Sequence, residues 1–553
     1  MYLPTDKQIW VGTADSGKTP VYLRPDMANR HGLIAGATGT GKTVSLKVLA
    51  ESFSDAGVPV FLVDIKGDVS GLIQPGVENK NVTERVTSMN IPDWHFSGFP
   101  VRFWDVYGEK GTPIRTTISD IGPDLLARIM ELNDTQTAVL KLIFRIADDQ
   151  QLLLIDVKDL RAMVQFVGDH AADFTTNYGH IATASIGAIQ RAIINLEGAG
   201  GDIFFGEPEL DVNDWFALNS DGRGMINLLH AVKLVQSPLL YSTFLLWMLS
   251  EIYEMLPEAG DLEKPKFVFF FDEAHLLFKD APKALLDKVE QVVRLVRSKG
   301  VGIYFITQQP GDIPDTVLAQ LGNKIQHALR AYTPNEQKAI KAAAQSFREN
   351  PAFDTETTLT ELGTGEALVS FLDEKGTPSI VQRAIILPPQ SFMGVADEAT
   401  IQQMIRGNGL DAKYRLAVDN TSAFETLTEK QVQEAEAQRL AEEEAQRQKE
   451  AEKQAKEKEK AEAAAAKQKE KEEAAAKKEA ERQAKELQKA QEKLAAQKQK
   501  EKEKAEAKKE REKEKAAARR TKYVDRVVGN ALSSIGRNLG SSILRGIFGT
   551  RKK

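Results

Sequence analysis

The stretch HGLIAGATGTGKTVSLKVLAE, residues 31–51, decides the fold. HGLIAG (31–36) is apolar and strand-forming, ATGTGKT follows, and VSLKVLAESFSDAG (44–57) carries apolar residues at helical spacing up to a closing glycine. VPVFLVD (58–64) then reads as a buried strand ending in Asp64. Strand, glycine-rich loop, helix and strand in that order make a βαβ unit, and such a unit implies a parallel sheet. The loop is Gly36-Ala37-Thr38-Gly39-Thr40-Gly41-Lys42-Thr43, a full GxxxxGKT. Its glycines let backbone N–H groups curl around a phosphate with no Cβ in the way. Lys42 is then set to reach the β- and γ-phosphates, and the Thr43 hydroxyl to ligate Mg²⁺. The expected ligands are ATP and Mg²⁺.

Working outward, KFVFFFDEAH (266–275) is a buried strand ending in two acids. A central strand delivers Asp272 and Glu273 to the carboxyl edge of the sheet, where the loop's phosphates sit. Asp272 is expected to hold Mg²⁺ through water, and Glu273 to polarise the attacking water as general base. The plain alternative is an acidic loop after a core strand, but a glutamate at this place favours hydrolysis over simple binding. VGIYFITQQ (301–309) is the next strand, and Gln308 at its end is a candidate sensor of the terminal phosphate. Asp64 and Lys66 end the second strand in VDIKGD; they contact the nucleotide edge or a neighbouring subunit, or they form a solvated turn. Arg294, Arg297 and Arg330 lie where a ring-forming ATPase would offer an arginine to the next subunit, with a surface ion pair as the ordinary reading of each. His275 reads as structural or as a polar link to Glu273. Gly17-Lys18-Thr19 lacks the upstream loop and reads as a turn.

The rest of the chain divides by composition. Residues 1–116 form the first part of the core, 117–222 a helical insertion, 223–395 the second part of the core, and 396–427 a linker. Thr428–Arg520 contains no glycine, proline or aromatic residue, and its only apolar residues besides alanine are Val432, Leu440, Leu487 and Leu494. Such a stretch cannot bury a core. Four large aliphatics do not make a coiled-coil seam, so it reads as an isolated helix held by Glu–Lys pairs, or as a disordered spacer. Residues 521–553 read as a basic amphipathic helix interrupted by glycines.

The net charge of −6 hides three regions: −16 for Met1–Leu427, +4 for Thr428–Arg520 and +6 for the remainder. An acidic globular part argues against nucleic acid over its whole surface, though a local basic channel needs only a few charges per subunit. The absence of cysteine excludes thiol catalysis, disulfides and thiolate metal sites. MYLPTDKQIW has no basic stretch followed by an apolar one, and the longest apolar runs fall far short of the roughly 20 residues of a membrane span. A soluble cytoplasmic protein is expected.

Four pieces together, GLIAGATGTGKTVSLKVLAE, FLVDIKGDVSGL, FVFFFDEAHLLF and VGIYFITQQPGDIPDTVLAQLGNKIQHALRA, resemble the HerA/FtsK group of P-loop ATPases. Their order and spacing resemble the bacterial HerA-like proteins of the YjgR type, and the likeness extends to about residue 390. It implies a RecA-like (ASCE) core, a hexameric ring with nucleotide between subunits, and ATP-driven movement of double-stranded DNA. By motif, Lys42, Thr43, Asp272, Glu273 and Gln308 take the roles given above, and Arg330 becomes the better trans-arginine candidate. With the phosphate loop beginning at residue 36, the β-barrel that precedes the ATPase in archaeal-type HerA proteins is not expected here, nor are the membrane spans and winged helix of FtsK-type translocases. DNA pumping is thus inherited from the ATPase core alone. The reading of a different class is an ATP-regulated oligomeric scaffold whose C-terminal basic helix docks on a membrane surface or a protein partner. A phosphotransferase fits less well, because Glu273 and the polar end of the following strand suit water activation.

Overall fold

The computed structural model describes residues 1–497 apart from Ser16, Asp280 and Tyr332. The chain divides into two units, Met1–Glu436 and Ala437–Lys553. The strands are β1 (Tyr2–Leu3), β2 (Gln8–Ala14), β3 (Thr19–Leu23), β4 (Gly32–Ala35), β5 (Val60–Asp64), β6 (Val101–Asp105) and β7 (Thr112–Pro113), then β8 (Ile226–His230), β9 (Phe267–Phe271), β10 (Val301–Thr307), β11 (Asn323–His327), β12 (Glu366–Ser370) and β13 (Gln382–Ile386). They form one sheet in the order β1-β2-β13-β12-β11-β4-β10-β9-β5-β8-β6-β7, with β3 paired to β2. From β11 through β4, β10, β9, β5, β8 and β6 to β7 every pairing is parallel. On the other side of β11 the pairings are antiparallel. This is the RecA-like α/β core, with the parallel part carrying the phosphate loop.

Why β9 sits at the centre follows from its residues. Phe267, Phe269 and Phe271 belong to one core cluster and Val268 and Phe270 to another, as the two-residue repeat of a strand requires when both faces are covered. The helix Lys42–Asp55 covers one face, where Phe53 meets Phe270 at 6.2 Å between ring centres. The other face takes the helices Pro238–Met255 and Lys283–Leu295 and the helices of the insertion. There Trp215 stands 4.5 Å from Phe61 and 6.3 Å from Trp247.

The insertion carries the helices Ile118–Ile129, Asp134–Asp149, Val157–Asp169, Ala171–Tyr178, Thr183–Gly198 and Gly201–Phe204. The first is kinked at Gly122 (φ 70°), so that Pro123 begins a new helical segment, where its missing N–H costs no hydrogen bond. Apolar residues of these helices and of the sheet form one continuous core, so the insertion has no core of its own.

Residues 396–427 depart from the linker reading. They hold the helices Glu398–Gly407 and Gly409–Tyr414, and Tyr414 is fully buried, 6.1 Å from Trp104, with its hydroxyl donating to Asp214 at 2.6 Å. Buried Asp159 then ties the following chain to the insertion. One carboxylate oxygen accepts from the N–H groups of Ile155 (2.9 Å) and Asp156 (3.1 Å), the other from the Ser422 hydroxyl (2.5 Å) and the Phe424 N–H (2.9 Å). Asp159→Ala strands four donors, two of them in the buried Ile155 N–H and Ser422 hydroxyl, at a cost of roughly 3 kcal/mol. We expect a thermal midpoint lower by about 5 °C and earlier proteolysis between residues 408 and 427. Unchanged melting and digestion would contradict this anchoring role.

The helix Ala423–Gln497 runs on into the second unit. Residues 437–497 are about 90 Å of helix at 1.5 Å per residue, built almost wholly from strong helix formers. Leu440 and Leu487 are exposed on it, and Arg439 faces Glu443 at 3.9 Å. The rest of the charged region and the expected basic helix at 521–553 lie outside the described residues. Among the described residues no helix is long and apolar enough to cross a membrane.

Candidate active site

Strand register decides which side chains meet. Thr307 lies opposite Ala35, and Phe271 opposite both Phe305 and Val63, so β4, β10, β9 and β5 end at one edge. That edge receives the phosphate loop from β4, Gln308 from β10, the two acids from β9 and Lys66 from the turn after β5.

The loop's glycines have distinct uses. Gly36 (φ 151°) would bring a Cβ to 2.5 Å from the Cβ of His327, and Gly41 (φ 120°) would press one to 3.2 Å from the Gly365 Cα. Both lie flush on the floor beneath the loop, whereas Gly39 (φ 77°) faces open space. The floor holds the loop through Ala37 N–H to the Ala328 carbonyl (2.8 Å) and Gly365 N–H to the Thr40 carbonyl (2.9 Å). Thr43 is half-buried in the first turn of the helix Lys42–Asp55, whose positive end faces the loop. Lys42 folds back onto the loop, donating to the carbonyls of Gly36 (2.5 Å) and Ala37 (3.1 Å), and burial, with Lys66 nearby, pulls its ammonium below the ordinary range.

His327 is a member of this site that no motif announces. It is fully buried at the end of β11, with Nδ1 2.8 Å from the Glu366 carbonyl and Nε2 2.8 Å from the Ser45 hydroxyl. A carbonyl only accepts, so Nδ1 carries the proton and Nε2 accepts from Ser45. Burial pushes His327 down to about 4, and a neutral ring therefore braces the loop, its helix and β12 together.

Asp272 and Glu273 are both buried. Glu273 adopts a left-handed backbone (φ 45°), rare for a residue with a side chain, which turns its carboxylate out of the strand line. Lys66 Nζ stands 2.5 Å from one Glu273 oxygen and 3.9 Å from Asp272. The other Glu273 oxygen faces His275 Nδ1 at 3.1 Å and the Gln308 amide at 3.5 Å. The acids are pushed apart: burial raises Asp272 to about 6 against Lys66, whereas burial of Glu273 is outweighed by Lys66 and His275, which hold it below the usual carboxylate range.

Of the remaining expected residues, His275 makes the polar link to Glu273. Asp64 ends β5 at this edge but is not solvated. It is buried and accepts from the N–H groups of Gly67 (2.7 Å), Asp68 (3.3 Å) and Val69 (3.2 Å), closing the turn that carries Lys66. Gly17 and Lys18 lie in the turn between β2 and β3, and Thr19 begins β3. Arg330 follows β11 at the loop's edge, exposed, and donates to the Thr360 carbonyl at 2.8 Å. Arg294 and Arg297 come just before β10 and so lie at the amino edge, away from the loop of their own chain.

Two hollows flank the loop and the acids. A cavity of about 600 Å³ opens beside Gly41 and Val44, walled by Ile385, Pro388 and Arg85, whose guanidinium donates to the carbonyls of Thr364, Gly365 and Ile386. On the side of the acids a hollow of about 530 Å³ is lined by His275, Gln308, Gln309 and Asp312.

The chain is similar to known proteins. Probable helicase MJECL08 of Methanocaldococcus jannaschii is 33% identical over 22% of this chain and 22% of its own length. The DNA double-strand break repair helicase HerA of Sulfolobus acidocaldarius is 21% identical over 65% of this chain. The chain thus spans 22% and 66% of these two relatives. Among solved structures, the bacterial conjugative coupling protein TrwBdeltaN70 aligns over 70% of this chain and 91% of its own, with 14% identity and a TM-score of 0.47. The family described as Helicase HerA-like C-terminal matches residues 11–484. With the phosphate loop, the paired acids and this match over most of its length, the chain belongs to the HerA-like C-terminal helicase family.

Proposed function

We propose that this protein is an ATP-hydrolysing motor that moves along double-stranded DNA as a hexameric ring of identical subunits, working in the cytoplasm beside both substrates. The observation that carries the hydrolytic part is the meeting, at one sheet edge, of a complete phosphate loop with a buried Asp–Glu pair. The loop N–H groups and Lys42 bind the phosphates, and Thr43 with Asp272 holds Mg²⁺. Among the described residues no group of three or more His, Asp or Glu can hold a metal ion by itself; the Thr43 hydroxyl would ligate Mg²⁺ directly and Asp272 through water. When bound, the ion neutralises charge on the phosphates. Glu273 orients the attacking water, and Gln308 stands beside it to sense the terminal phosphate. The cavity beside Val44 and Pro388 has the size and apolar walls that suit a nucleoside. Arg330, at the loop's edge, is the arginine best set to act on a neighbouring subunit's nucleotide; Arg297 serves only if the next subunit meets the amino edge.

The DNA part rests on family membership. A triplex-displacement assay tests it: a third strand annealed to a long duplex should be released by the protein with ATP, and not with ADP. Release that fails although ATP is hydrolysed would sink the translocase reading and leave the ATPase standing.

A further inference from the structure

Lys66 has no role in the reading above, yet it is the closest cation to the proposed base. Its setting is built. Buried Asp64 fixes the turn through three N–H groups, Gly67 supplies the left-handed step (φ 74°), and the lysine between them reaches over β9 to both acids. The turn is anchored, but the side chain is 38% exposed and ends a four-carbon stem, so the ammonium can swing without moving the backbone.

Both lysines of the site are now engaged with oxygens of the protein, Lys42 with loop carbonyls and Lys66 with Glu273. A triphosphate brings stronger acceptors to the same edge. A carboxylate clasped by an ammonium is also a poorer acceptor for a water proton than a free one, so hydrolysis gains if the clasp opens only when the terminal phosphate has arrived. We propose that Lys66 is a positioning residue that exchanges partners with the nucleotide: it holds Glu273 while the terminal phosphate is absent and passes to that phosphate in ATP, freeing Glu273 to orient water. ADP, which lacks the phosphate, leaves Lys66 on Glu273. Lys66 thereby distinguishes triphosphate from diphosphate.

This rests on the ATP reading of the site, and binding separates the two. The full chain is titrated calorimetrically with ADP and with the slowly hydrolysed ATPγS, both with Mg²⁺, as wild type, Lys66→Met, Lys66→Arg, Glu273→Gln and the Lys66→Met/Glu273→Gln double variant. Lys66→Met should weaken ATPγS about tenfold and ADP less than about twofold, and Lys66→Arg should restore most of the loss. Glu273→Gln releases the lysine in advance and should tighten ATPγS about threefold or more, a gain absent from the double variant. Equal weakening of both nucleotides by Lys66→Met, or a Glu273→Gln gain that survives it, would overturn the exchange while leaving the ATP site intact. A wild-type chain that binds neither nucleotide would overturn the ATP reading itself.

Discussion

Lys42→Ala is expected to abolish ATP turnover, with a fall of about a thousandfold or more in kcat/KM. The expectation comes from charge. Lys42 is the one cation rooted in the phosphate loop, its ammonium lies against the carbonyls of Gly36 and Ala37, and nothing else on the loop carries a positive charge. Burial already pulls this ammonium below its ordinary range, so the site is paying desolvation for a cation that a phosphate ligand then satisfies. Removing it leaves the loop N–H groups and the helix end to hold three phosphates alone. The fold should survive, because the lysine bonds only carbonyls at the loop's open side. Malachite-green release of phosphate measures the effect, and circular dichroism with the melting curve checks the fold. Turnover within about tenfold of wild type would remove Lys42 from the site.

Glu273→Gln should separate binding from chemistry. Glutamine keeps the shape and accepts hydrogen bonds, but it has no basic oxygen for the water proton, so kcat should fall by about a hundredfold to ten-thousandfold. ATP affinity should rise, because Lys66 loses its anionic partner at 2.5 Å. Rapid-quench turnover alongside equilibrium binding of ATP measures both halves. A variant that loses binding and turnover together would mean that Glu273 is a structural acid, tied by Lys66, His275 and Gln308 merely to close the edge of the sheet.

Much of the candidate site's layout was legible because its residues are local in sequence. Gly36–Thr43 and Asp272-Glu273 each follow an apolar strand directly, and a parallel sheet brings such strand ends to one edge whatever the order of its strands. The unbroken apolar run of FVFFF likewise foretold a strand covered on both faces. His327 was not legible: its value lies in touching Ser45 and Glu366, residues 282 and 39 positions away, and a lone histidine after KIQ carries no trace of them. Asp159 and Tyr414 hid for the same reason, since nothing local to residues 396–427 records that Trp104, Asp214 and Asp159 receive them. The burial of Asp64 was not legible, and a solvated turn stood as one alternative, because its three partners are backbone N–H groups, which no side-chain pattern records. The arginines teach the reverse lesson. Arg297 precedes β10 directly, and a residue just before a parallel strand lies at the amino edge, so strand polarity alone separates it from Arg330.

The most direct test of a DNA motor is steady-state ATP turnover by the purified full chain, with and without long double-stranded DNA, at low and at moderate salt. Stimulation by DNA of about tenfold or more is predicted, strongest at low salt where phosphate contacts are least screened, and lost in Lys42→Ala and Glu273→Gln. Turnover that is indifferent to DNA at both salt concentrations would contradict it.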